Sequence, residues 1–303
     1  MKPKVLILLS AYNGEAYLTE QAESILTQEG AFDLTLRIRD DGSQDKTPEV
    51  ARALAGRFPG RVEYLRGENL GYNGSFFTLI DGAAGYDFYG LSDQDDKWLP
   101  GKVEAAVGAL KEAEGPALYA CPSYTTDAAL KPVGQTRKKL RPITPANTLV
   151  QNICPGHNQF FNNELLTLIQ KPRDVSRIYV YDLWIAGLAA LYGRILFDQT
   201  PRTLYRQHGN NELGYGKNLV GKLVKDGRSA MQGKGSRNKI QMAYFAEENR
   251  PALETLDLYQ PVQDFLTADS FGKRFRVLLY CPFYRQSRLE SFLFRAAYLF
   301  GKY

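Results

Sequence analysis

The sequence predicts an α/β protein: an open, mostly parallel central sheet flanked by helices, followed by a mainly helical C-terminal extension. Three observations predict it. The first 120 residues alternate between short strand-like and longer helix-like patterns, the order that builds strand–helix–strand crossovers. Val5–Leu9 is a continuous apolar run, as in a strand covered on both faces. Two acidic clusters, Asp40-Asp41 and Asp93 with Asp95-Asp96, stand where predicted strands end, and such sheets bind ligands beyond the carboxyl ends of their strands.

The elements follow in order. After Val5–Leu9 a helix runs from about Gly14 to Gln28, with Ala16, Leu18, Ala22, Ile25 and Leu26 on its apolar side. Leu34–Arg39 alternates as a strand does and runs into Asp40-Asp41-Gly42-Ser43. Thr47–Phe58 is predicted helical, Val62–Leu65 a strand, Asn73–Ala84 a helix, and Asp87–Leu91 a strand leading into Ser92-Asp93-Gln94-Asp95-Asp96. A helix from about Pro100 to Ala113 and a strand at Leu118–Ala120 come next. Residues 127–148, basic and rich in Pro, read as a long loop. Tyr181–Tyr192 is apolar enough for a buried helix, Arg194–Phe197 reads as a short strand, and helical patterns dominate beyond Met242.

A chain of 303 residues, 44% hydrophobic and 23% charged, has room for one large catalytic domain and an appendage, and excludes the disordered and collagenous classes. Cys121, Cys154 and Cys281 are odd in number and form no CxxC pair, which argues against a zinc site or a disulfide framework and for a reducing compartment. The N-terminal apolar run is too short for a signal peptide, and no stretch approaches the length of a membrane span. The expectation is a cytoplasmic protein, soluble or peripheral on the inner face of the membrane. Charge is uneven. Residues 214–241 carry seven Lys/Arg against Asp226, and residues 271–303 seven against Glu290, each a net +6. The remainder of a chain of net +5 is therefore acidic, at −7, and the basic C-terminal third points to an anionic surface as partner.

The acidic clusters carry the chemistry. Asp93 and Asp95 place two carboxylates one residue apart at a strand's end, a donor set for Mg²⁺ or Mn²⁺ that leaves room for substrate phosphates. Such a cation stabilises charge on a departing nucleotide diphosphate. Asp41 can accept hydrogen bonds from a base or ribose, with Gly42 letting backbone approach the ligand; the same residues also suit a turn before an N-capped helix. Asp182 opens a helix, where it serves either as an N-cap or as a general base. His208, in Tyr205-Arg206-Gln207-His208, is placed to complete a metal's coordination or to contact a diphosphate, with Arg206 as a phosphate partner. His157 is expected on the acceptor side.

These residues together resemble the family-2 glycosyltransferases of the GT-A fold. The match is carried by Ser10-Ala11-Tyr12-Asn13-Gly14, by Asp40-Asp41-Gly42-Ser43, by Asn69, Gly71 and Asn73, and by Ser92-Asp93-Gln94-Asp95-Asp96. Gly90–Trp98 and Tyr205–Asn211 look most like the bacterial rhamnosyltransferase-type subgroup. The resemblance covers roughly residues 4–213. It implies a Rossmann-like sheet and an inverting, metal-dependent hexosyltransferase that uses a nucleotide-diphosphate sugar. It sets Ala11, Tyr12, Asn13, Asp41 and Asn73 against the nucleotide sugar. Asp93 and Asp95 would bind ribose, metal and diphosphate. Asp182 would be the base and Trp184 would stand on the acceptor side. Tyr181 occupies a position where the subgroup more often has His or Glu. The implied donor is dTDP-rhamnose and the implied product a cell-surface polysaccharide built on a saccharide or lipid-linked acceptor. A UDP-hexose donor is the alternative. A sugar nucleotidyltransferase would want a basic Gly-rich loop after the first strand, and Ser10–Leu18 holds no basic residue. A non-catalytic sugar-binding domain would lack one of Asp41, Asp93, Asp95 and Asp182, and all are present.

The expected division is a catalytic domain at 1–213, with a nucleotide-sugar half to about 120 and an acceptor half at 121–213, then the extension at 214–303. The last 33 residues hold ten aromatics among their seven basic residues, with Leu289, Phe292, Leu293, Ala296 and Phe300 at helical spacing. This suits an anionic membrane surface, or packing on the protein itself or in a homodimer. Nucleic acid is not expected, because no binding motif for it is present.

Overall fold

The computed structural model describes residues 1–136, 139–207 and 234–303. Contacts group the chain into two units: Met1–Lys138 with Cys154–Arg173 and Gly193–Gly214, and Lys139–Ile153 with Asp174–Tyr192 and Tyr215–Tyr303. The contact-defined units thus differ from a division at 213/214, since residues 139–153 and 174–192 group with the C-terminal residues. The reason is apolar packing: Ala146 and Val150 share one buried cluster with Met242, Phe265, Phe294 and Tyr298.

In the first unit the βα alternation is realised as β1 (Lys4–Ala11), α1 (Leu18–Leu26), β2 (Asp33–Asp40), α2 (Thr47–Arg57), β3 (Val62–Arg66), α3 (Gly71–Asp81) and β4 (Phe88–Ser92). There follow β5 (Lys97–Trp98), α4 (Lys102–Lys111), β6 (Ala117–Ala120), β7 (Tyr124–Thr126) and β8 (Pro132–Gln135). After α5 (Pro145–Thr148), which belongs to the second unit, come β9 (Phe160–Asn162), α6 (Asn163–Ile169), α7 (Tyr181–Tyr192, second unit), β10 (Arg194–Phe197) and β11 (Thr203–Arg206). The stretch 127–148, expected as one loop, contains β8 and α5.

Seven strands form the central sheet in the order β10-β6-β9-β4-β1-β2-β3, and β5-β11-β7-β8 form a smaller one. β1, β2, β3 and β4 are parallel, as are β6 and β10, whereas β9 runs antiparallel between β4 and β6. β1 explains the packing. Val5, Ile7 and Leu9 join a core with Leu18, Ala22 and Ile25 of α1, Ala51 and Leu54 of α2, and Val103 and Ala106 of α4. Leu6 and Leu8 point the other way by the two-residue period of a strand and are also fully buried. Each such leucine contributes about 1.5–3 kcal/mol by leaving water. That is why the run carries no polar alternation.

The second unit is helical. Besides α5 and α7 it holds Lys234–Glu248, Arg250–Thr255, Tyr259–Thr267, Phe271–Tyr280 and Arg288–Leu299. Phe265 is its centre, stacked on Tyr298 at 4.0 Å and meeting Phe283 edge-on at 5.2 Å. Among the described residues no helix is long and apolar enough to cross a membrane.

Candidate functional site

The register of the central sheet brings three strand ends together. Ala11 pairs with Asp40, and Leu9 with Ser92, so the segments leaving β1, β2 and β4 emerge side by side where the strand order reverses. This is the crevice in which open α/β sheets take their ligands.

The loop after β1 is held by side chains from the other two. Gln94 grips the Tyr12 backbone on both sides: Tyr12 N donates to Gln94 Oε1 at 2.8 Å, and Gln94 Nε2 donates to Tyr12 O at 2.9 Å. Asn13 N donates to Ser43 Oγ at 2.9 Å, Gln44 N to Asn13 Oδ1 at 2.9 Å, and Gly14 N to Thr47 Oγ1 at 2.7 Å. A Cβ on Gly14 would lie 2.0 Å from Gln94 Oε1, so a side chain there would push the Gln94 amide out of this grip. Ala11 is buried beneath the loop, while the Tyr12 ring is exposed.

Asp41 is buried. It is ion-paired to Arg39, which also donates to Ser75 Oγ and to the Glu68 carbonyl, both at 3.0 Å. Asp41 Oδ1 accepts from Leu70 N at 3.0 Å. Gly42 adopts a φ of 77°, and a Cβ on it would stand 2.9 Å from Asn69 N. Here the glycine serves both the turn and the close approach of the 67–71 backbone. That approach positions the start of α3, on which Asn73 lies.

The third strand end carries the acidic cluster. Asp93, Asp96 and His157 offer ligand atoms that all lie within 4.8 Å of one another. His157 Nδ1 stands 3.7 Å from Asp93 Oδ2 and 4.0 Å from Asp96 Oδ2. Its other ring nitrogen is 2.9 Å from Ser123 Oγ, and the ring stacks on Tyr205 at 4.9 Å. Such an outer partner fixes both tautomer and orientation of a ligating imidazole. Burial pushes the Asp96 carboxyl above its usual range. Burial works against the His157 imidazolium, but the Asp96 and Asp93 carboxylates beside it outweigh burial and raise its pKa. Two carboxylates and an imidazole fit a divalent cation of the Mg²⁺–Mn²⁺–Zn²⁺ range, whose charge would replace the proton these groups otherwise retain.

His157 was expected on the acceptor side, and the structure instead groups it with the acidic residues. The cause is β9. Because it runs antiparallel to β4, the turn leading into it, Gly156–Asn158, sits at the carboxyl end of β4, and Leu91 N donates to Gln159 O at 3.0 Å. Asp96 takes the place in this group foreseen for Asp95, whose side chain is half-exposed. His208, expected at the metal, lies outside the described residues.

Two neighbours hold the cluster from behind. Lys102, at the start of α4, is fully buried. Its ammonium donates to His157 O and Asn158 Oδ1 at 2.8 Å each and to Thr203 Oγ1 at 2.7 Å, and it sits 4.0 Å above the Trp98 ring. No sequence pattern marked it: one lysine in a helix's first turn is ordinary. Arg206, expected at a phosphate, is buried as well. It donates to Asp95 O at 2.9 Å, Ala128 O at 2.5 Å and Glu20 Oε2 at 2.5 Å, and its backbone N to Asp96 Oδ1 at 3.2 Å. Its guanidinium therefore braces the acidic loop.

In the second unit, Asp182 lies in the first turn of α7, where Oδ2 accepts from Asn152 Nδ2 at 2.7 Å and Oδ1 from Leu183 N at 2.9 Å. Trp184, expected on the acceptor side, is only 4% exposed and packs on Tyr244 and Phe245, each with ring centroids at 5.2 Å.

The fold is that of the GT-A glycosyltransferases. S. aureus TarS 1–349 in complex with UDP matches 99% of the chain and 89% of its own length, with a TM-score of 0.58 at 15% identity. Mannosyltransferase PcManGT from Pyrobaculum calidifontis, in complex with GDP-Man and Mn²⁺, matches 100% and 86%, with a TM-score of 0.53 at 17% identity. The Glycosyl transferase family 2 profile matches residues 6–167, more than half of the chain, and the protein belongs to that family. Among curated relatives, the dTDP-rhamnosyl transferase RfbG of Shigella flexneri is 26% identical over 219 residues, 68% of this chain and 73% of RfbG. The chondroitin synthase of Pasteurella multocida is 36% identical over 132 residues, 44% of this chain but only 13% of the synthase.

Proposed function

We propose that the protein is an inverting, metal-dependent glycosyltransferase that moves L-rhamnose from dTDP-rhamnose to a saccharide acceptor, lipid-linked, in the synthesis of a cell-surface polysaccharide. The reading is carried by one observation: the Asp93–Asp96–His157 group at the carboxyl end of β4, beside the loops that leave β1 and β2. The similarity to RfbG over two thirds of the chain supports the rhamnose donor. A UDP-hexose is the second reading, favoured by the likeness to TarS solved with UDP-GlcNAc.

The residues divide the work. Tyr12 and Asn13 border the base, with Ala11 as the floor beneath them. Asp41, oriented by Arg39 and Leu70 N, faces the base or ribose, and Asn73 lies on the helix that follows. A divalent cation, Mg²⁺ or Mn²⁺, held by Asp93, Asp96 and His157, with Asp95 and His208 as further candidates, supplies Lewis-acid stabilisation of the departing diphosphate. The PcManGT complex with Mn²⁺ supports that assignment. Asp182 takes the proton from the acceptor hydroxyl, its carboxylate oriented by Asn152 Nδ2 on one oxygen and Leu183 N on the other. We assign sugar transfer to residues 1–213 and an anchoring role, at the inner face of the membrane, to 214–303.

The test is release of nucleoside diphosphate from a donor panel. dTDP-rhamnose with Mg²⁺ or Mn²⁺ is expected to turn over fastest. Preference for UDP-GlcNAc would select the second reading, and turnover undiminished in EDTA would remove the cation from both.

A further inference from the structure

We infer that the helices Phe271–Tyr280 and Arg288–Leu299 form a docking surface for an anionic lipid bilayer. The inference deepens the anchoring role proposed above by naming the residues that meet the lipid. Both helices are apolar on two sides. Inward, Val277, Phe294 and Tyr298 are buried in the core around Phe265. Outward, Phe271, Phe275 and Leu279 recur every four residues along one face of the first helix, and all three are exposed, Leu279 by 72%. On the second helix Leu289 and Phe292, with Phe300 just beyond its end, share one face and are likewise exposed, Phe292 by 68% and Phe300 by 66%. The Phe271 and Phe300 rings lie 6.0 Å apart, so the two apolar faces adjoin.

Such a surface has no use for water. A soluble monomer scatters large apolar side chains, and a contiguous set marks an interaction site. Charge identifies the occupant. Arg276 borders the stripe on the first helix, and Arg288 and Arg295 border it on the second, all exposed. The segment 271–303 carries seven basic residues against one acidic. In two copies joined through this surface the exposed Arg276, Arg288 and Arg295 of each would be brought together and repel, which argues against a homodimer here. Exposed leucines beside the phenylalanines suit acyl chains better than nucleobases. Aromatic and aliphatic side chains entering the headgroup boundary, with arginines at its rim, is the arrangement of interfacial helices.

The test uses the full chain and flotation with phosphatidylglycerol-rich or pure phosphatidylcholine vesicles, in low and high salt. Wild type should float with the anionic vesicles, less so in high salt, and little with phosphatidylcholine. Because the altered side chains are exposed, Phe275→Ser with Phe292→Ser, and separately Arg276→Glu with Arg288→Glu, should keep their circular dichroism. Each pair should lower anionic-vesicle binding by at least about tenfold. Transfer to a soluble saccharide should be unaffected, so loss of that activity in wild type would count against the proposed reaction and not against the surface. Wild type that fails to float, or pairs that float normally, would overturn the inference. So would a dimer in light scattering that the Phe variants dissociate, or salt-sensitive binding to RNA without binding to vesicles.

Discussion

Replacing Lys102 with Met tests whether the acidic cluster is braced from behind. The substitution keeps the length of the side chain and removes the ammonium. It leaves the His157 carbonyl without its donor and strips one hydrogen bond each from Asn158 Oδ1 and Thr203 Oγ1, although the Thr203 hydroxyl still donates to Asn158 Oδ1 at 2.7 Å. Three buried acceptors weakened at about 1 kcal/mol or more each, against the recovered cost of burying a charge, give a net loss of about 2–4 kcal/mol. Urea denaturation with an unchanged m-value should read that loss. A second readout is specific to the site: with the Gly156–Asn158 turn loosened, calorimetry should show weaker Mn²⁺-dependent binding of the donor nucleotide. If Lys102→Met costs under about 1 kcal/mol, or stabilises the protein as an apolar replacement of a buried ion can, the ammonium is not a brace and the reasoning fails.

Three further outcomes are expected. Asp182→Asn keeps the shape of the base and removes its proton affinity, so turnover should fall by about 10²-fold or more while calorimetric donor affinity survives; turnover within a few-fold of wild type would reassign Asp182 to a helix-start role. Asp93→Asn and His157→Ala should each raise the Mn²⁺ concentration needed for half-maximal turnover, whereas an unshifted metal titration in both would exclude the cluster as the cation site. Burial would raise the Asp198 pKa, but hydrogen bonds from Thr200 N at 2.8 Å, Arg202 at 2.9 Å and Tyr119 at 3.0 Å outweigh it and hold the carboxyl below its usual value. The stability it contributes is therefore present above the ordinary carboxyl range and lost as pH falls through its folded value; Asp198→Asn should flatten stability against pH on the acid side, and an unaltered acid limb would count against this.

What could be read from the chain was local. β1 and β4 announce themselves by apolar runs and β2 by its alternation, and Tyr181–Tyr192 coincides with its observed helix, because a mostly apolar stretch of that length has few other uses. β9 could not be read, because Phe-Phe-Asn is too short to show a period and its antiparallel place is set by pairing with β4 and β6. The same holds for the site. Asp41 and Asp93 follow strands, and their place at strand ends was legible from that alone. His157 depends on β9, a pairing some 70 residues away in sequence. Arg206 and Trp184 have side chains that suit ligands, and the sequence shows neither the acceptors around the one nor the rings around the other.

The antiparallel strand also bears on how the protein folds. His157 lies in the turn before β9, which pairs with both β4 and β6, so the cluster cannot assemble from the N-terminal βα units alone. Closing contacts so distant along the chain is slow, because the entropy of the intervening segment is lost before the contacts repay it. The three groups thus come together only with β9 in place. A nascent chain synthesised as far as Asp96 carries both carboxylates of the group but not His157, which is added 61 residues later.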